Sequence, residues 1–132
     1  MDQDPLVMEQ IDAGARFLRE FGESIPVRAA FWLKAGEGGQ WYLYVASEQV
    51  DEGDLGVTYG EVLRAARTMP DPNFDPFRVK LIGADNPLAR AASDILRLYT
   101  GRMATRLRGR VFGGIFVDEV YIYPATAPVP TP

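Results

Sequence analysis

The sequence predicts an α+β domain, a mixed β-sheet of four to five strands built on an N-proximal hairpin and packed with three helices. Three observations carry this. The stretch from Val27 to Ser47 holds both tryptophans and the longest alternating pattern in the chain, with glycines at its centre. Three further stretches repeat apolar residues at three- and four-residue spacing and start or stop at recognisable cap residues. A last apolar block, GRVFGGIFVDEVYIY, is rich in β-branched and aromatic residues.

The elements follow in order. Asp4 and Pro5 start a first helix, the aspartate accepting from orphan amides and the proline lacking an N–H that would go unused there. Val7, Ile11, Ala15, Leu18 and Phe21 form its apolar stripe, and Gly22 ends it. The hairpin comes next. A three-residue loop, Glu37-Gly38-Gly39, would put Val27, Ala29, Phe31, Leu33, Trp41, Leu43 and Val45 on one wholly apolar face. The other face would then carry Arg28, Ala30, Trp32, Lys34, Tyr42, Tyr44 and Ala46, with Trp32 opposite Tyr44 and Lys34 opposite Tyr42.

After a polar loop, Thr58 and Glu61 read as a capping box, flanked by Val57 and Val62 as a hydrophobic staple, and Pro70 stops the second helix near Met69. A proline-punctuated loop leads to a half-exposed strand, Phe77 to Ile82. Asn86-Pro87 starts the third helix, whose apolar positions are Leu88, Ala91, Ala92, Ile95, Leu98 and Tyr99, with Gly101 as terminator. In the final block Gly113 and Gly114 either turn a hairpin or bulge one long strand. The order is α-β-β-α-β-α-β, with an extra C-terminal strand if the glycines turn. Residues 1–124 are expected to form a single domain, and 125–132, a proline-rich tail with nothing to bury, to be disordered.

A chain of 132 residues is long enough for a core without staples. It has no cysteine and no histidine, which excludes disulfides, thiol nucleophiles, Ser-His-Asp chemistry and zinc sites of the usual type; no cofactor is expected. No run approaches the roughly 18 apolar residues of a membrane span, and MDQDPLVMEQ is acidic where a secretory signal is basic, so a cytoplasmic protein without membrane contact is expected.

Familiar catalytic patterns break down when tested. Ile115 to Glu119 has the form of an ATPase strand, but no glycine-rich loop ending in lysine accompanies it. Asp71-Pro72-Asn73-Phe74-Asp75 begins like a calcium loop, yet Pro76 stands where the sharp turn needs glycine, and Ile82 where the closing glutamate belongs. Pro70-Asp71 followed by Arg78-Val79-Lys80 approaches a metal-dependent nuclease pattern, but Arg78 puts a cation where the second acid is required.

Two groups of residues carry functional content. Arg28, Trp32, Lys34, Tyr42 and Tyr44, the second hairpin face, combine amphipathic aromatics with cations as protein interfaces do. Arg97, Arg102, Arg106, Arg108 and Arg110 lie in a segment without acids, and guanidinium groups at that density suit phosphates. Residues 1–61 carry net −8 (12 acids, 4 bases) and residues 62–132 net +4 (6 acids, 10 bases), a polarity that suits head-to-tail association or an anionic ligand. The expectation is a non-catalytic domain that binds a protein partner or itself. The alternatives are a nucleic-acid or polyanion binder using Arg97 to Arg110, and an enzyme with a carboxylate-based site.

Overall fold

The computed structural model describes Leu6 and residues 8–35, 39–98 and 104–124. Three helices and five strands follow one another as α1 (Met8–Gly22), β1 (Ala29–Ala35), β2 (Trp41–Ser47), α2 (Gly56–Thr68), β3 (Val79–Gly83), α3 (Pro87–Leu98), β4 (Thr105–Phe112) and β5 (Ile115–Ile122). The strands make one mixed sheet in the order β3-β2-β1-β5-β4. This is the α+β architecture read from the sequence, with the extra C-terminal strand. Only β2 and β3 run parallel, joined through α2; every other neighbouring pair is antiparallel.

Both faces of the sheet are covered. On one, Ile11, Phe17 and Phe21 of α1 and Val62 and Ala65 of α2 pack on Trp32, Leu43, Val45 and Leu81. On the other, Ala89 and Ala92 of α3 pack on Phe31, Leu33, Val120 and Ile122, with Phe112 folded in from β4. Each fully buried phenylalanine contributes about 1.5–3 kcal/mol relative to exposure, and such rings lie on both sides of β1, Phe17 and Phe21 on one and Phe31 on the other.

Burial on both faces overturns the expected hairpin register. Phe31 pairs with Tyr44, Trp32 with Leu43, Leu33 with Tyr42 and Lys34 with Trp41. An even number of residues therefore separates the two strands, not the odd number that a three-residue loop supplies; Glu37 and Gly38 themselves lie outside the described residues. The sequence favours the odd loop because it makes one face wholly apolar. That preference holds only when the other face meets water, and a sheet with helices on both sides removes it. Lys34 ends among apolar neighbours, 8% exposed, and reaches out from the strand end to Asp118, 3.7 Å away.

Other elements differ in detail. Leu55 is the residue before α2, which starts at Gly56, so Thr58 lies inside the first turn with its side chain buried and makes no cap. Val57 is exposed rather than stapled to Val62. Glu61 instead accepts from Arg64 at 2.7 Å, which holds its carboxyl below the usual carboxylate range. The buried face of α1 is Ile11, Ala13, Gly14, Phe17 and Phe21. It is turned from the expected stripe, because Phe17 stacks on both Phe21 and Phe74. Residues Pro76–Arg78 form a 3₁₀ turn ahead of β3, leaving Phe77 exposed. At α3 the Asn86 side chain accepts from the Leu88 amide at 2.9 Å, as its sequence position implies, while Leu98 is exposed. Asp4, Pro5, Val7, Tyr99, Gly101 and the tail 125–132 lie outside the described residues.

Gly113 and Gly114 turn a hairpin, with φ of +61° and +91° and Phe112 opposite Ile115. Two successive positive φ values match the twist of a two-residue turn, a conformation L side chains rarely adopt. The β5 pairing with β1 shifts between Lys34 and Ala35. Phe112 lies edge-on to Phe31 at 5.4 Å, so the hairpin end curls over the α3 face.

Candidate functional site

The register separates the aromatic and basic residues that the sequence grouped. Trp32 and Lys34 belong to the α1/α2 face; Tyr42 and Tyr44 belong to the α3 face. Trp32, 4% exposed, donates from Nε1 to the Tyr123 hydroxyl at 2.9 Å, and that hydroxyl donates to the Ile11 carbonyl at 2.7 Å. Burial raises the Tyr123 phenol well above its ordinary range, the tryptophan bond opposing the shift. Gly14 makes room for this relay: a Cβ there would stand 2.4 Å from the Tyr123 hydroxyl.

Tyr44 stacks on Phe31 with ring centroids 5.4 Å apart, and its phenol is raised mainly by burial and secondarily by Tyr42. Lys80 and Arg78 lie over the Tyr42 ring, at 4.7 Å and 5.6 Å. Arg28 is exposed and pairs with Glu48 at 3.4 Å. The five residues therefore do not form one surface, and Trp32 is committed to joining α1 to the sheet.

The arginine segment is divided as well. Arg97 pairs with Asp94 on α3, whereas Arg106 and Arg108 both reach Glu119 across the hairpin, at 3.0 and 3.7 Å. Arg106 also lies 5.5 Å from the Tyr121 ring centroid. Arg110 is exposed on β4 without an ion pair among the described residues, and Arg102 lies outside them.

Two features that the sequence reading did not single out remain. The first is the β4–β5 hairpin. β4 is an edge strand, and Val111 and Phe116 face each other across the hairpin, 65% and 59% exposed, next to Ile115 at 43%. The sequence signal is present, since Val111, Ile115 and Phe116 flank the glycine turn, but apolar pattern alone does not tell an edge hairpin from a buried one.

The second is a cleft of about 830 Å³ outside the carboxyl ends of β2 and β3. The parallel strands part company there: from β2 the chain goes to α2 on one face of the sheet, and from β3 to α3 on the other. Arg90, Ser93, Asp94 and Arg97, one face of α3, line one wall, and Arg28 and Glu48 lie across from them. Glu52 ties the two departing loops together, accepting from the Gly83 amide at 2.6 Å and from the Asn86 side chain at 3.0 Å.

Asp71, the leading residue of the rejected calcium pattern, accepts from the Asn73 amide at 2.9 Å and pairs with Arg16, which together lower its carboxyl. No group of three or more acids that could hold a metal ion occurs among the described residues. No helix among them is long and apolar enough to cross a membrane. Compared with protein-family models, with curated proteins and with solved structures, the chain matches none.

Proposed function

We propose that this chain is a non-catalytic protein-binding domain that docks through the tip of its β4–β5 hairpin. The observation that carries the reading is the side-by-side exposure of Val111 and Phe116, which pair across the hairpin beside its two-residue turn. Other exposed large apolar residues, such as Val57 and Phe77, stand on separate elements. Exposed apolar side chains paired on one element, with an aromatic among them, mark interaction sites.

The surroundings argue for the chemistry of the partner. Arg108 and Arg110 flank the apolar tip along β4. Cations on an edge strand oppose pairing with a second copy of the same strand and favour a surface rimmed by carboxylates. The occupant is therefore an apolar patch with an acidic rim on another protein. A cytoplasmic setting, where a chain without cysteines gives up no stabilising disulfide, goes with this reading.

The test compares capture by the wild-type chain, the Val111→Ser/Phe116→Ser double variant, Arg110→Glu and the control Phe77→Ser. Support is a partner held by wild type and by the control, lost with the double variant and weakened by Arg110→Glu. A partner indifferent to the hairpin changes overturns the reading, as does a chain that captures nothing and sediments as a monomer. Association of the chain with itself, abolished by the double variant, would replace the foreign partner by a second copy.

A further inference from the structure

We infer that the cleft outside the carboxyl ends of β2 and β3 is a binding site for a small amino-carboxylate zwitterion, an amino acid or short peptide. The inference is independent of the hairpin reading and rests on topology, charge and frame.

Topology opens the cleft. In an open sheet, adjacent parallel strands whose connections leave to opposite faces keep a crevice outside their carboxyl ends, and ligands of such sheets bind there. β2 and β3 are the one parallel pair, and α2 and α3 lie on opposite faces. A volume of about 830 Å³ is within the range of small-molecule sites.

Charge selects the ligand. The lining carries three guanidinium groups and three carboxylates, so it has no net charge and does not favour a simple anion or cation. Two of the cations are already paired, Arg28 with Glu48 and Arg97 with Asp94. Arg90 and Asp85 remain without an ion pair among the described residues, one cation and one anion facing the same space. A molecule bearing both a carboxylate and an ammonium matches that pair: the guanidinium takes the carboxylate through parallel N–H donors, and the aspartate takes the ammonium. The Ser93 hydroxyl, one turn along α3 from Arg90, supplies a further donor or acceptor.

The frame is held before any ligand arrives. Glu52 bonds both the end of β3 and the Asn86 side chain, and Asn86 in turn caps α3. Loops already fixed in place lose little entropy on binding.

The experiment titrates the full chain with free α-amino acids and glycyl dipeptides, followed by calorimetry and by amide chemical shifts. At least one of these probes is expected to bind, with shifts confined to the lining residues. Arg90→Gln and Asp85→Asn, both exposed positions whose substitution leaves the core untouched, are each expected to weaken that binding by about 10- to 100-fold, as loss of a hydrogen bond to a charged group does. The same probe with its carboxylate esterified or its amine acetylated is expected to lose binding to a similar extent. Absence of binding for the whole panel up to about 10 mM overturns the inference, as does binding that ignores both substitutions or both blocked probes. Tighter binding of inorganic phosphate or succinate than of every zwitterion overturns it as well, in favour of a plain anion site.

Discussion

The chain contains two antiparallel hairpins of similar length, and they have opposite fates. In β1–β2 nearly every side chain is covered on both faces, and the one strand lysine is drawn in with the apolar residues. In β4–β5 the outer strand is open along most of its length and carries arginines and bare apolar side chains. Aromatic content does not separate the two, because both carry several aromatic side chains. Place in the sheet does: β1 lies between β2 and β5, whereas β4 is an edge. Residues that look like an interface on the central hairpin are used as scaffold, and residues that look like core on the edge hairpin are left for solvent or a partner.

The contrast can be broken most severely at Trp32. Trp32→Ala removes a buried ring and its bond to Tyr123, and is expected to cost about 3–5 kcal/mol, measured by denaturant unfolding. If Trp32→Ala is nearly neutral and leaves the fold intact, the central hairpin is not the scaffold described above.

Tyr123→Phe probes the same joint more gently. It leaves the Trp32 N–H without its acceptor and removes the added bond to the Ile11 carbonyl, an expected loss of about 1–3 kcal/mol. It also carries a pH signature. Burial raises the folded phenol, so between the unfolded value, about pH 10, and the higher folded value, the folded state holds a proton that the unfolded state has released. The contribution is therefore fully present below about pH 10 and is lost as the pH rises through the folded value. Wild-type stability should fall along that alkaline limb, and the phenylalanine variant should show a shallower fall. Parallel limbs for the two proteins would mean that Tyr123 is not the group responsible.

The smallest expected effect sharpens the comparison from the other side. Val111→Ser and Phe116→Ser remove side chains that bury little, so each should change stability by no more than about 0.5 kcal/mol. Large losses at both positions would show that the tip is packed, contrary to its exposure.

What the sequence determined by itself was local. Glycines at 113 and 114 mark a turn or a bulge because few other residues accept positive φ, and Asn86-Pro87 specifies a helix start because an amide needs an acceptor. The fold decided between four strands and five, and the kind and order of the elements followed from such signals and from apolar spacing. Which face of each element turned inward did not. Register depends on whether one side of a sheet or both are covered, and that is settled by α1, α2 and α3 arriving from distant parts of the chain.

The same reason hid both candidate sites. The hairpin tip is exposed because β4 lies at an edge, and the cleft exists because two parallel strands send their connections to opposite faces of the sheet. Arg28, Asp85 and Arg90 share no motif in the sequence, and only the paths of α2 and α3 bring them to one crevice. Short-range chemistry selects the elements; long-range packing decides which of their side chains meet.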